Sequence, residues 1–531
     1  MLGVVSRSGS EPDADDRNRG ARADAATDDE SASVDWGFAP ARYQLTRFVF
    51  LRFLGLVYLA AFLSLANQWR PLIGSDGLLP AADFLTHVRR QLGSVSAGFW
   101  RLPSLFWFHT SDALLGALAW LGVGLSALLV LGFADAPLLA LLWVLYLSFV
   151  HVGQIFYGYG WESLLCETGF LAIFLAPALS LKPFAGSVPW PVLVLVRWLV
   201  FRVMFGAGLI KIRGDACWTD LSCLAYHYQT QPLPNPLSAS FHRLPERVHE
   251  FGVLFNHFAE LVAPFGVFGP KRLRYAAGAV IILFQLCLIF SGNLSFLNWL
   301  TITIAWSCFD DDALRWLAPK RFAAPLLRRP LALSRRRQVV TGGLIALIAI
   351  LSLNPIVNLL SPRQAMNASF EPFDLVNTYG AFGSINRVRN EIILQGTSDE
   401  LGPSTRWVDY ELPCKPGDPK RRPCLVSPYQ YKLDWQMWFA SFGSAGEEPW
   451  LIHLIDKLLR GDHVVDSLFA VQPFRERPPR YVRALFYRYD FAKPELHGLY
   501  WQREYVSEYL RPVALGDSDL DEYLRDHGWT P

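Results

Sequence analysis

The chain has 531 residues, 52% of them apolar, 18% charged and 14% aromatic, with a mean hydropathy of +0.22. That is too apolar for an ordinary soluble protein and too polar for one wholly embedded in lipid, so lipid-embedded and aqueous parts are both expected. A formal net charge of +2 supplies no global field to attract nucleic acid, and that partner class is set aside.

Residues 1–44 (MLGVVSRSGSEPDADDRNRG…) are acidic, poor in large apolar side chains and without the basic-then-apolar layout of a cleavable signal peptide. They read as a disordered cytoplasmic tail, and the first apolar stretch as an uncleaved start of insertion. A crossing helix needs about 20 mostly apolar residues. Nine stretches are candidates, at 46–66, 112–133, 136–153, 163–181, 190–212, 251–268, 274–292, 294–310 and 339–360. Asn256, His257 and Glu260 interrupt the sixth, and the seventh and eighth must form a tight hairpin. Between the first two, segment 67–111 carries Trp69, Trp100, Trp107 and Phe108. Such aromatics favour the headgroup level, so part of it is expected to lie along the interface.

Loop charge orients the spans. Arg315, Lys320, Arg321, Arg328, Arg329, Arg335, Arg336 and Arg337 mark the loop 311–338 as cytoplasmic. Counting back places Lys271, Arg272, Arg274, Lys182, Arg42 and Arg47 on the same side; counting forward places everything after 360 outside. Cys217 and Cys223 in loop 213–250, and Cys414 and Cys424 further on, then share a compartment that permits disulfides. Cys166, Cys287 and Cys308 fall in or beside spans, where a thiol behaves as a small hydrophobe.

After 361 the texture becomes alternating and turn-punctuated. EIILQG, RWVDYEL and YVRALFYRYDF predict strands. PWLIHLIDKLLRG places Leu451, Ile455, Leu458 and Leu459 at helical spacing before Gly461. The expected fold is a polytopic α-helical membrane region over 45–360, with about nine spans, followed by a β-rich α+β extracytoplasmic domain over 361–531.

Ionisable residues inside spans are costly and usually face a bundle interior. Here they are Glu167, Arg197, Arg202, Lys211, His257 and Glu260. One reading makes them a polar site between helices; the other pairs Glu167 with an arginine and lets Lys211 snorkel to the interface. There is no Walker-type loop, G-x-S-x-G elbow, H-E-x-x-H or C-x-x-C, and Gly158-x-Gly160 follows no predicted strand. His249 and His257 have no third ligand nearby, so neither metal nor cofactor is expected. Cys414 and Cys424 bracket the turn-rich KPGDPKRRP, a loop a disulfide would close; Cys217–Cys223 needs a sharp turn. Asn293 and Asn367 begin glycosylation sequons, the former close to the membrane.

Several long blocks carry a resemblance: WESLLCETGFLAIFLAP from Trp161, RWLVFRVMFGAGLIKIRGDACWTDL, AYHYQTQPLPNPLS, FNHFAELVAPF, NTYGAFGSINRVRNEI, CKPGDPKRRPCLVSPYQYKLDWQMWFA and FYRYDF. Together they resemble the lipase maturation factor family from about 45 to 510. The resemblance implies a multi-pass membrane protein without enzymatic activity that assists folding and assembly of secreted lipases, with a client-facing carboxy-terminal domain. In eukaryotes such proteins reside in the endoplasmic reticulum; in a bacterium, which the composition suggests, the plasma membrane would take its place. The aromatic run Tyr429, Tyr431, Trp435, Trp438 and Phe439 is then either a client surface or the domain's own core or membrane seam. A fainter similarity, in Gly206-Ala-Gly-Leu-Ile-Lys211 followed by Trp218, is to the membrane domain of vitamin K-dependent γ-carboxylases. It implies Lys211 as a catalytic base.

Overall fold

Helix α1 (Gln44–Ile73) carries no side-chain cap of its own. Its first N–H groups donate instead to the carboxylate of Asp311, at 2.9 Å from Gln44, 2.7 Å from Leu45 and 3.2 Å from Thr46. Orphan donors at a helix start need such an acceptor, and here it comes from 267 positions further along the chain. The computed structural model describes residues 42–180, 184–317, 333–493 and 495–529. The expected tail up to residue 41, and Lys182, Lys320, Arg321, Arg328 and Arg329 of the orienting loops, lie outside them.

The helices that follow are α2 (Asp112–Leu131), α3 (Ala136–Val152), α4 (Gly160–Leu175) and α5 (Trp190–Arg213). Then come α6 (Glu246–His257), α7 (Lys271–Ser291), α8 (Leu297–Ala305), α9 (Arg335–Leu351) and α10 (Leu353–Leu360). Among the described residues five stretches have the length and apolarity to cross a bilayer: α1, α2, α5, α7 and Arg335–Leu360. The expected count of nine therefore rests on four helices too short to span alone. α3 has 17 residues, α4 16, and α8 only 9, or roughly 14 Å at 1.5 Å per residue. α6 gives way to a π-helical turn at Phe258–Val262 before resuming at Ala263–Gly266. The short α4 is buried almost all round, which is how a central helix behaves, whereas α9 buries only Thr341, Leu344 and Ile348 and lies at the periphery. In segment 67–111 the helix Ala81–Leu92 buries Ala81, Leu85 and Val88 on one face, while Trp100 and Phe108 stand exposed.

The carboxy-terminal region holds a four-stranded antiparallel sheet in the order β2-β1-β3-β4, made of β1 (Arg389–Thr397), β2 (Val408–Asp409), β3 (Tyr481–Phe491) and β4 (Trp501–Val513). β1 is buried along nearly its whole length, with Ile393 opposite Leu485. RWVDYEL contributes only the two residues of β2 and a bridge from Glu411 to Val471. Around the sheet pack α11 (Lys432–Ala440), α12 (Pro449–Arg460) and α13 (Ser518–Asp526). α12 ends where expected, on Gly461 in the left-handed conformation (φ 67°, ψ 35°). The apolar core runs without a break from α1 through Tyr379 and Trp435 to α12, and Ala41–Pro531 is one compact unit. The change of texture near 361 does not coincide with a gap in packing.

Candidate functional site

The blocks quoted above meet where the helical region faces the carboxy-terminal region, and they bring buried charges with them. On α4, Glu167 forms an ion pair with Arg202 of α5. The same carboxylate accepts from the Asn377 N–H at 3.0 Å and the Tyr379 hydroxyl at 2.8 Å, while Arg202 donates to the Asn377 carbonyl at 2.6 Å. Five residues earlier on α4, Glu162 receives the Lys432 ammonium at 2.5 Å, together with Tyr146 O–H and Trp161 Nε1–H. Ser64 and Gln68 of α1 both donate to the Gln430 carbonyl at 2.7 Å. Glu167 thus has the arginine partner expected of it, and a second, unforeseen pair lies beside it. Buried ions are tolerable only when matched and hydrogen-bonded, and both carboxylates are.

The aromatic run enters this seam from the other side. Trp435 is buried, with its ring centroid 4.9 Å from that of Trp161 and 5.7 Å from that of Tyr159. Tyr429 approaches Gln68, Tyr431 packs edge-on against Tyr429, and Trp438 donates to the Thr230 carbonyl at 3.1 Å. Of the five, only Phe439 is exposed, at 39%.

Both cysteine pairs form disulfides, Cys217–Cys223 and Cys414–Cys424. The second is anchored twice. Asp434 accepts from the N–H groups of Cys414 and Lys415 at 2.6 and 2.7 Å, and burial, partly offset by those two bonds, raises its carboxyl to about 6. Asn293 donates to the Cys424 carbonyl at 2.9 Å and accepts from the N–H groups of Val426 and Ser427. Fully buried, Asn293 serves packing rather than glycosylation. The first disulfide packs with Trp218, Val253 and Ile385, so loop 213–250 lies against the carboxy-terminal region. Buried Arg389 reinforces this contact by donating to the Gln229 and Pro232 carbonyls, each at 2.9 Å.

Of the two readings of Lys211, the structure departs from the snorkelling one. The Lys211 side chain is 5% exposed, and its ammonium donates to Glu260 at 2.6 and 2.8 Å and to Asn256 Oδ1 at 2.8 Å. A burial this deep draws the lysine to an internal carboxylate instead of the interface. The π-helical turn carries Glu260, and Gly208 leaves room for it: a Cβ there would meet Glu260 Cβ at 3.0 Å and Leu261 at 2.7 Å. Gly206 likewise lets the Tyr379 backbone approach, since a Cβ would stand 2.4 Å from its oxygen. Arg197 and His257 take structural bonds, to the Ser307 carbonyl at 2.9 Å and beside the Trp218 carbonyl at 2.8 Å. His249 lies 3.0 Å from the Phe241 carbonyl. Among the described residues no three His, Cys, Asp or Glu gather as metal ligands would.

Beside Lys211 opens a cavity of about 760 Å³. It is walled by side chains of α5, α6, α7 and α8 and of the carboxy-terminal region, among them Met204, Phe255, Phe284, Leu288 and Trp438. Lys211, Asn256 and Glu260 all line it, and so do Trp435 and Phe439. Two groups of residues with rival implied functions share one chamber. His227 joins them; burial, with Lys211 nearby, lowers it to about 4, so it is neutral at physiological pH. The sequence did contain a signal for this convergence. Asn256 and Glu260 sit four residues apart, on one helix face, yet they read as interruptions of a span.

Two family models match the chain, one described as the lipase maturation factor transmembrane domain, over residues 45–316, and one as the lipase maturation factor C-terminal domain, over 375–511. Lipase maturation factor 1 of Bos taurus is 48% identical over 517 residues, covering 92% of each chain. The Homo sapiens protein of that name is 45% identical, over 92% of this chain and 90% of its own. Homo sapiens lipase maturation factor 2 is 30% identical, over 91% and 85%. No solved structure matches. The chain belongs to the lipase maturation factor family.

Proposed function

We propose, from that membership, that this membrane protein assists the folding and assembly of secreted lipases, or of other exported proteins, without itself catalysing a reaction. One observation carries the reading most. The carboxy-terminal region is locked to the bundle by the Glu167–Arg202–Asn377 and Glu162–Lys432 contacts, which makes it a rigid platform and not a tethered arm. We place residues 361–531 outside the cytoplasm and the amino terminus inside. Both disulfides lie on the carboxy-terminal side of the bundle, which supports this, as do the basic residues gathered at the other end, where Arg274 pairs with Asp310 and Arg337 donates to the Ser187 carbonyl. The membrane is that of the endoplasmic reticulum in a eukaryotic cell and the plasma membrane in a bacterium.

With most of the aromatic run turned inward, the client surface is reassigned to β4. This strand ends the sheet, and Tyr505 and Val506 stand exposed on it. An open edge of this kind can add a strand from a partly folded client. In cells lacking their own maturation factor, co-expression with a secreted dimeric lipase should raise secreted activity, and Val506→Pro should reduce the gain. No gain at matched membrane abundance would refute the role. A cytoplasm-only reporter fused after residue 531 should be silent.

A second reading, a carboxylase-like enzyme with Lys211 as base, draws support from the position of that lysine at a cavity. It requires the Lys211–Glu260 pair to part first. The double variant Lys211→Met/Glu260→Gln separates the two readings: a missing base lowers rate by about 10²-fold or more, whereas a platform keeps its maturation yield.

A further inference from the structure

With the client surface proposed at β4, the chamber beside Lys211 is left unassigned by that reading, and it combines three properties of a ligand site. Its volume falls inside the roughly 300–1,000 Å³ typical of small-molecule pockets. Its wall is mainly aromatic and aliphatic, with the Lys211–Glu260–Asn256 cluster as a compact polar group at a buried position. Its rim carries exposed apolar side chains, namely Val248 (45%), Phe251 (69%) and Phe442 (52%). The neighbouring wall helix α7 is long and apolar enough to span a bilayer, and it turns Leu283 and Phe290 outward as well. The mouth therefore opens on a surface suited to hydrocarbon, and an entering molecule comes from the membrane.

The polar cluster defines the head of that molecule. The lysine and glutamate neutralise each other, and the three ammonium hydrogens are committed to Glu260 and Asn256. Asn256 Nδ2 gives one hydrogen to Glu260 Oε2 at 3.1 Å and keeps one, while one lone pair stays free on Glu260 Oε1 and one on Asn256 Oδ1. One free donor beside free acceptors complements a hydroxyl group. A free carboxylate or phosphate would face Glu260 without an unpaired cation to receive it.

We propose that this cavity binds an acylglycerol-type lipid, taken from the bilayer, with its acyl chain among Phe255, Phe284, Leu288 and Trp438 and its uncharged hydroxyl head at Glu260 and Asn256. The inference goes beyond client maturation and does not depend on it.

The test uses the full chain in phosphatidylcholine nanodiscs and three photoreactive probes at equal mole fraction: monooleoylglycerol, oleic acid and phosphatidylcholine, each with a diazirine on the oleoyl chain. Monooleoylglycerol should label peptides bearing Phe255, Leu288 or Trp438, and unlabelled monooleoylglycerol should displace it. Filling the chamber with Leu288→Trp should cut labelling about tenfold, equivalent to about 1.4 kcal/mol of binding. Ile345→Trp, on the exposed face of α9, should leave it unchanged. Labelling no stronger than on α9, or saturable labelling that favours either charged-head probe, would overturn the proposal. Should Leu288→Trp fail to fold, the unmodified protein decides through Cys287, the exposed free thiol lining the chamber. Its reaction with N-ethylmaleimide should slow several-fold as monooleoylglycerol is added, and an unchanged rate counts against occupancy.

Discussion

Nine positions apart on α5 stand two buried cations, Arg202 and Lys211, each paired with a carboxylate from another helix, and their surroundings differ. Around Arg202, Glu167 on α4 and the Asn377–Tyr379 segment close over the guanidinium, and neither Arg202 nor Glu167 lines the cavity. Around Lys211 the pair is complete, but one side faces open volume. A matched ion pair in close packing is a fastening; the same chemistry beside a chamber remains available to a ligand. The distinction lies in the packing around the residues and not in their types.

The sharpest way to break the fastening is Arg202→Met. It leaves Glu167 buried without its cation, which destabilises by about 3–5 kcal/mol. Thermal melting monitored by fluorescence-detected chromatography should show the loss, and Arg202→Met/Glu167→Gln should recover most of it. Trp435→Ala empties the aromatic contact with Tyr159 and Trp161, at about 3–5 kcal/mol at most. Limited proteolysis should then cut the carboxy-terminal region sooner than the helices. Replacing Cys414 and Cys424 by serine opens the loop they close, for about 2–3 kcal/mol, and non-reducing peptide mapping of the parent protein should recover the bond.

A smaller effect is set by pH. Burial, followed by the nearby Glu371 charge, raises the Asp374 carboxyl from 3.8 to about 7. Since the folded form holds its proton more tightly than the unfolded chain, this contribution is full below about pH 4 and is lost as pH rises toward 7. Asp374→Asn should therefore stabilise the protein near and above pH 7, on the order of 1–3 kcal/mol, and have little effect at pH 4. Melting curves across that range check the slope. The smallest change is expected of Lys211→Met/Glu260→Gln, within about 1 kcal/mol, because a buried pair replaced as a pair is often neutral. A large loss there would erase the difference between the two regions.

Local chemistry was legible in the sequence. The α12 periodicity with its glycine stop, the β1 and β3 textures and the five long apolar helices follow from spacing alone. The short helices were harder. α8 is apolar like a span, and only its burial inside the bundle excuses its nine residues. β4 has no strand signature, because an edge strand with Arg503, Glu504 and Glu508 lacks clean alternation. Lys432 sits among aromatics, and its partner Glu162 lies 270 positions away. No local pattern reports such a pairing, and the same gap hid the chamber where Lys211 and Trp435 meet.

That separation has a consequence in time. A ribosome adding roughly 5–20 residues per second needs on the order of ten seconds to a minute to travel from Glu162 to Lys432. For that interval the nascent bundle holds a carboxylate whose cation has not yet been made. A chain stopped at 360 would stay in that state, so the helical region alone is an unfinished intermediate, completed only when the last third has been synthesised.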